Sequence, residues 1–403
     1  DANDYICGIH VASRTQVVKG QVVASLGIGA VITQERVLNM IGRLPEESVA
    51  QMCVGSMVPD YISEYRCADD PARPDGCDVS MVGVFEGGYT PHMRNNMEPT
   101  AYSRKDWHRK VCEPAVCGPE HPTNPGHATI DVLRAAIVKN QQGMARKSFD
   151  PDDLEMVVEH VFDQFYMVKP VRPPQLCDSY ECINGVEPAL SAIAMDKSEG
   201  PYFRRFRPPG AKGKDWMFER HDEEDGSCWY SISHQPLIDY LERADESIRS
   251  GLKLDTLWGP SLKKETRPPE KVQNKPLPVT RVVMGSCVVN TLLSRKYFGD
   301  FLNHVFANYA VFESAVGINV YSREWDDLMK DLHRFSKFGF DEDYSAFESN
   351  FRGQLGEIYL HHINEWYRNG PTWKPEDDVA RAMLINDFLY SLIAFGKYVL
   401  MKW

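Results

Sequence analysis

Phe340-Asp-Glu-Asp-Tyr-Ser-Ala-Phe-Glu-Ser349 is the stretch on which the reading of this chain turns. Its acidic side chains stand at a spacing suited to a divalent metal, with Asp343 and Glu348 as the candidate pair. Five positions apart in an extended strand, two side chains point to opposite faces. Both can serve one site only if a strand ends near Asp343 and the chain then turns into a helix. Phe338 and Phe340 suit that strand. From Gln354 to Trp366, Leu355, Ile358, Tyr359, His362, Ile363 and Trp366 recur at helical spacing, which predicts the helix with His362 on its buried stripe.

Composition sets the frame around this stretch. A chain of 403 residues with 43% apolar residues can build two or three domains with a sizeable core. No apolar run approaches the ~20 residues of a membrane span, and the first residues do not resemble a signal peptide, so a soluble intracellular protein is expected. Ten cysteines are too sparse for a disulfide scaffold and predict reduced thiols. A net charge of -12 argues against general attraction to nucleic acid but leaves room for local basic clefts.

Two basic stretches supply them. Ser198 to Lys214 interleaves five cations and three aromatic rings with Gly and Pro, a combination that offers cations to phosphates and rings to bases. Leu262-Lys-Lys-Glu-Thr-Arg-Pro-Pro-Glu-Lys271, with Lys275 and Thr280-Arg281-Val-Val283 behind it, predicts a basic hairpin or loop returning into a strand. Converging cations of this kind suit a triphosphate, Arg as a fork and Lys as a point charge. Elsewhere, Asp150 and Pro151 predict the start of a helix to Val168, its stripe carrying Leu154, Val157, Val158, Val161, Phe162 and Phe165. The acidic runs Asp222 to Asp225 and Glu376 to Asp378 are expected as solvated segments, the second also suiting a first helical turn.

Taken in order, these segments resemble the RNA-dependent RNA polymerases of picorna-like positive-strand RNA viruses. Glu98-Pro-Thr-Ala101 and Cys112-Glu-Pro-Ala-Val116 look like the amino-terminal fingers segment. Lys197-Ser-Glu-Gly-Pro-Tyr202 with Lys212-Gly-Lys214 resembles motif G, the template-entry loop. Leu262 to Arg281 is similar to motif F, Glu313 to Asn319 and Trp325 match the stretch after it, and Asp343 to Glu348 looks like motif A. The resemblance implies a mixed α/β right-hand polymerase fold and templated transfer of nucleotides from NTPs to an RNA 3′ end.

Roles follow from the resemblance residue by residue. Asp343 matches the aspartate that binds the catalytic Mg²⁺ (or Mn²⁺) ions of a two-metal mechanism. Glu348 stands where the family has a second aspartate that helps recognise the ribose 2′-hydroxyl, a departure of one methylene. Lys263, Arg267 and Arg281 match motif F cations near the triphosphate, and Lys275 is the candidate replacement for a lysine that is Val279 here. Ser198, Gly200, Pro201, Tyr202, Lys212 and Lys214 would face the RNA template. Partners implied are template and primer RNA, NTPs and other viral replication proteins, in host cytoplasm on membranes reached through those proteins.

At the amino terminus, Tyr5-Ile-Cys-Gly-Ile-His-Val-Ala12 resembles the end of a chymotrypsin-like cysteine protease, with Gly8 and His10 lining its substrate pocket and Gln21 to Ile32 as last strands of a β-barrel. No proteolysis is expected, because the nucleophile and its partners would lie upstream. The family's motifs B and C would follow Trp403, so this chain alone is expected not to polymerise RNA. The expected divisions are residues 1–34 protease remnant, 35–75 linker with a helix from Glu35 to Met57, 76–335 fingers, and 336–403 the start of a palm without thumb. A non-catalytic RNA-binding module, or a segment of a protease-polymerase precursor, is the alternative.

Overall fold

The computed structural model describes residues 11–12, 15–18, 21–24, 27–28, 53–56, 62–64, 79–89, 113–117, 128–141, 149–254, 256–268, 272, 280–312, 314–316, 318–339, 353–389 and 391–402. Distant parts of the chain build its main sheet: β1 (Ile62–Glu64), β2 (Val79–Tyr89), β3 (Leu257–Leu262), β4 (Val282–Gly285) and β5 (Leu392–Lys402). Their spatial order is β4-β3-β5-β2-β1. β3 and β4 are antiparallel, with Gly259 opposite Gly285 and Leu262 opposite Val282. β5 runs parallel to β3 through Leu257–Leu392 and Trp258–Ile393, and antiparallel to β2. A parallel neighbour requires a long crossover, here formed by helices. Leu392, Ile393 and Ala394 are all buried, as expected of a central strand covered on both faces.

The helices are α1 (Thr129–Gln141), α2 (Pro151–Met167), α3 (Ser179–Asn184), α4 (Pro201–Arg204), α5 (Gln235–Arg249), α6 (Val288–Ala307), α7 (Arg323–Phe335), α8 (Gly353–Arg368) and α9 (Pro375–Leu389). α2 starts as its sequence predicts: the Asp150 carboxylate accepts the N–H groups of Asp152 and Asp153, and Pro151 opens the first turn. α3 carries a full capping box between Asp178 and Glu181. One core gathers Leu237, Tyr240, Ala244 and Ile248 of α5 with Val289, Leu293 and Tyr297 of α6 and Val379 and Met383 of α9. A second, aromatic core joins Leu154, Val158 and Phe162 of α2 to Phe301 of α6 and to Ile358 and Trp366 of α8.

α8 carries the predicted stripe, with Leu355, Tyr359 and Ile363 packed at the edge of that aromatic core. His362 is buried on it, its ring stacked on Phe162 at 4.5 Å and its Nδ1 3.2 Å from the Tyr166 hydroxyl. Burial holds its imidazole below the usual histidine range. On α2 the expected stripe was too wide: Val157 and Val161 are exposed, because Leu154, Val158 and Phe162 at four-residue spacing already define the buried line.

Other expectations are corrected. Cys53–Ser56, placed in a helix from Glu35 to Met57, is a strand. It pairs parallel with Leu252–Lys253 and antiparallel with Thr15–Val18, which forms a hairpin with Gln21–Ala24. Available ladder partners outweigh local helical preference there. No strand forms over residues 336–339, and Phe338 is 91% exposed. Asp377 and Asp378 are buried rather than solvated, although Pro375 does open a helix. Arg381 and Arg368 donate to Asp378 at 2.8 Å each, and Trp373 Nε1 donates to it at 2.9 Å. Elements on the two sides of residue 335 pack together. β5 lies between β3 and β2, while α9 packs on α5 and α6, and α8 packs on α2. A strand with both edges unsatisfied is drawn into a sheet wherever partners exist.

Candidate functional site

The β3–β4 hairpin positions the cations. Past Leu262 its ladder is extended by the Lys263 N–H donating to the Arg281 carbonyl at 2.7 Å, which places these two residues at the same level. Thr266–Arg267 then pairs antiparallel with Glu113–Pro114, and the Ala115 N–H donates to the Glu265 carbonyl at 2.8 Å. Buried Thr280 donates its hydroxyl to the Val116 carbonyl, holding the returning arm against the same segment.

Three cations meet on the side chain of Glu265. Arg281 donates to it in a fork, one branch at 2.7 Å, while Lys263 Nζ lies 3.7 Å and Arg267 Nε 3.8 Å from its carboxylate. The carboxylate side chain is 12% exposed, whereas Lys263 and Arg281 are 46% and 58% exposed. The Arg281 hydrogen bonds, with all three positive charges, hold Glu265 below the usual carboxylate range. Lys263 and Arg281 present their cationic ends toward solvent beside this carboxylate, chemistry that suits an anionic phosphate chain. Glu265 is a residue that sequence reasoning passed over, although an acid inside Lys-Lys-Glu-Thr-Arg was its visible signal.

The Ser198–Tyr202 segment is fixed from several sides. Glu199 is fully buried, its carboxylate held by Arg207 in a fork with one branch at 2.8 Å. The Glu199 carbonyl accepts the Val288 N–H at 3.0 Å, tying the segment to the start of α6. Ser198 Oγ accepts the Gly200 N–H at 3.2 Å. Gly200 has φ +95°, and a Cβ there would stand 2.6 Å from Cys287 Cα, so both backbone and space demand glycine. Pro201, buried, opens α4, and Tyr202 packs against Phe203, Phe206 and Tyr240. Lys212 is exposed. Lys214 is a correction: it is 5% exposed and donates to the Ala194 carbonyl at 2.8 Å, so its charge is spent inside the loop rather than offered to RNA. Desolvation pushes its ammonium below the usual lysine range.

Lys263, Arg267 and Arg281 are therefore brought together, and Ser198, Gly200, Pro201 and Tyr202 form one fixed segment. Asp343, Glu348 and Lys275, with Gly8 and His10, lie outside the described residues. Among the described residues no group of three or more His, Cys, Asp or Glu side chains is gathered to hold a metal ion. No described helix is long and apolar enough to cross a membrane.

Comparison with known proteins bears on this geometry. Residues 110–400 match the family described as viral RNA-dependent RNA polymerase. The genome polyprotein of Rice tungro spherical virus (strain A) is 32% identical over 245 residues, 60% of this chain and 7% of the polyprotein. The RNA1 polyprotein of Tomato ringspot virus is 25% identical over 375 residues, 90% of this chain and 16% of that protein. The replicase polyprotein of Acute bee paralysis virus is 26% identical over 220 residues, 55% and 11% respectively. This chain thus spans less than a fifth of these relatives. Among solved structures, the Sicinivirus 3Dpol RNA dependent RNA polymerase is similar with a TM-score of 0.58 at 19% identity, covering 78% of this chain and 59% of that one. That likeness is one of fold, the right-hand polymerase fold with mixed helix and strand.

Proposed function

Because the chain belongs to the viral RNA-dependent RNA polymerase family of picorna-like viruses, we propose that it is the nucleotide- and template-binding part of an enzyme that extends an RNA 3′ end from NTPs. The observation that carries this reading is the convergence of Lys263, Arg267 and Arg281 on Glu265. In this reading an incoming triphosphate takes its place beside the same cations, and the forked Arg281 and the point charge of Lys263 orient it. Ser198, Gly200, Pro201 and Tyr202 guide the template strand, with exposed Lys212 as a cation beside it. Asp343 is the proposed ligand of Mg²⁺ or Mn²⁺, which in such sites activates the attacking hydroxyl and neutralises the leaving group. Glu348 is proposed to read the ribose, and Lys275 to add a further cation. The relatives being polyproteins, the proposed setting is host cytoplasm, on membranes reached through other viral replication proteins.

Equilibrium binding of GTP to the 403-residue chain tests the reading. Arg281→Gln is expected to weaken binding by about 10- to 100-fold, the loss given by a charge-assisted hydrogen bond. Wild-type affinity in this variant and in Lys263→Ala would overturn it.

A further inference from the structure

Arg205 stands where rings from two separate elements meet. Its Cζ is 5.0 Å from the ring centroid of Tyr202, 5.2 Å from Phe206 and 5.3 Å from Phe85. Beside it, Arg204 Cζ lies 5.2 Å over the Tyr89 ring. Phe85 and Tyr89 belong to β2 and are 1% and 7% exposed, so this platform is anchored in the main sheet. Tyr202 and Phe206 meet edge-on with centroids 5.6 Å apart. Arg205 is exposed, as is Phe206 at 52%.

Arg207 forks onto buried Glu199, and Lys214 donates to the Ala194 carbonyl. The Arg205 guanidinium lies over ring faces at the surface. A lone exposed phenylalanine is ordinary, but an exposed ring beside a guanidinium that already rests on three aromatic groups is prepared for one more flat partner. Bases, aromatic rings and guanidinium planes stack on one another with little regard to sequence.

We propose that Arg205 and Phe206 form a stacking step for one base of a single-stranded RNA entering beside Ser198–Tyr202. It rests on the polymerase reading for the class of ligand, and adds base stacking where that reading has phosphate contacts. The test is the affinity of the 403-residue chain for a short labelled single-stranded RNA, intact or with one abasic position moved along it. Phe206→Ala weakens binding by about 5- to 100-fold, Phe206→Trp retains it, and Arg205→Gln also weakens it. One abasic position weakens the wild type by a similar factor and leaves Phe206→Ala unchanged. The salt dependence of Phe206→Ala equals that of the wild type, since no phosphate contact is lost. Equal affinity of wild type and Phe206→Ala, or no abasic position whose effect depends on Phe206, overturns the stacking step and leaves the polymerase reading standing. A wild-type chain that binds no RNA overturns both.

Discussion

Glu265 shows how much one side chain can organise. Lys263, Arg267 and Arg281 would repel one another if brought together alone, and the carboxylate between them offsets that repulsion. A carboxyl held below its ordinary range contributes stability that is present above the unfolded value of about 4.3 and is lost as pH falls through the folded value. Glu265→Gln is therefore expected to be less stable than wild type near neutrality, with the difference shrinking as pH drops below about 4. Urea denaturation at a series of pH values checks this, and a pH-independent difference would contradict it. Gly200 illustrates the complementary case, a residue chosen for what it lacks: Cys287 occupies the place a side chain would fill.

At the level of elements, α9 is the helix whose character the sequence concealed. Glu376-Asp-Asp378 looks like a solvated acidic first turn, yet Asp378 and Arg381 are both fully buried. Arg381 also donates to Asn364 Oδ1 at 2.7 Å and lies 4.2 Å from the Tyr367 ring, so it locks α9 to α8. Breaking a buried pair strands the surviving charge without solvent. Asp378→Ala is expected to cost about 3–5 kcal/mol, measured by chemical denaturation. The start of α2 is the opposite case, since Asp150-Pro151 is a local signal that needs no tertiary context, whereas packing alone separated the buried Leu154, Val158, Phe162 line from exposed Val157 and Val161.

In the whole molecule, the five-stranded sheet couples segments that the sequence separates. β5 packs its buried Ile393 opposite Trp258 of β3, and β2 closes its other edge. A second buried link reinforces this: Asp387 of α9 accepts from the Thr256 N–H at 3.2 Å and Asn290 Nδ2 at 2.7 Å, with Lys253 Nζ 3.9 Å away. Ile393→Ala is expected to lose about 2–5 kcal/mol. Hydrogen exchange should rise together in β2, β3 and β5 if they open as one unit. Exchange that rises in β5 alone would show that the strand is an appendage. The sequence by itself determined the α8 stripe, the α2 cap, the cation-bearing hairpin and the family, because helical period, capping chemistry and motif order are encoded within short stretches. Tertiary structure alone decided that β5 sits at the centre of the sheet and that Lys214 and Asp378 are buried. It also decided that Glu265 gathers the cations, and that Phe85 reaches Arg205 and Tyr89 reaches Arg204. Each of these depends on which distant backbone or side chain becomes a neighbour, and residue type alone does not specify neighbours across such separations.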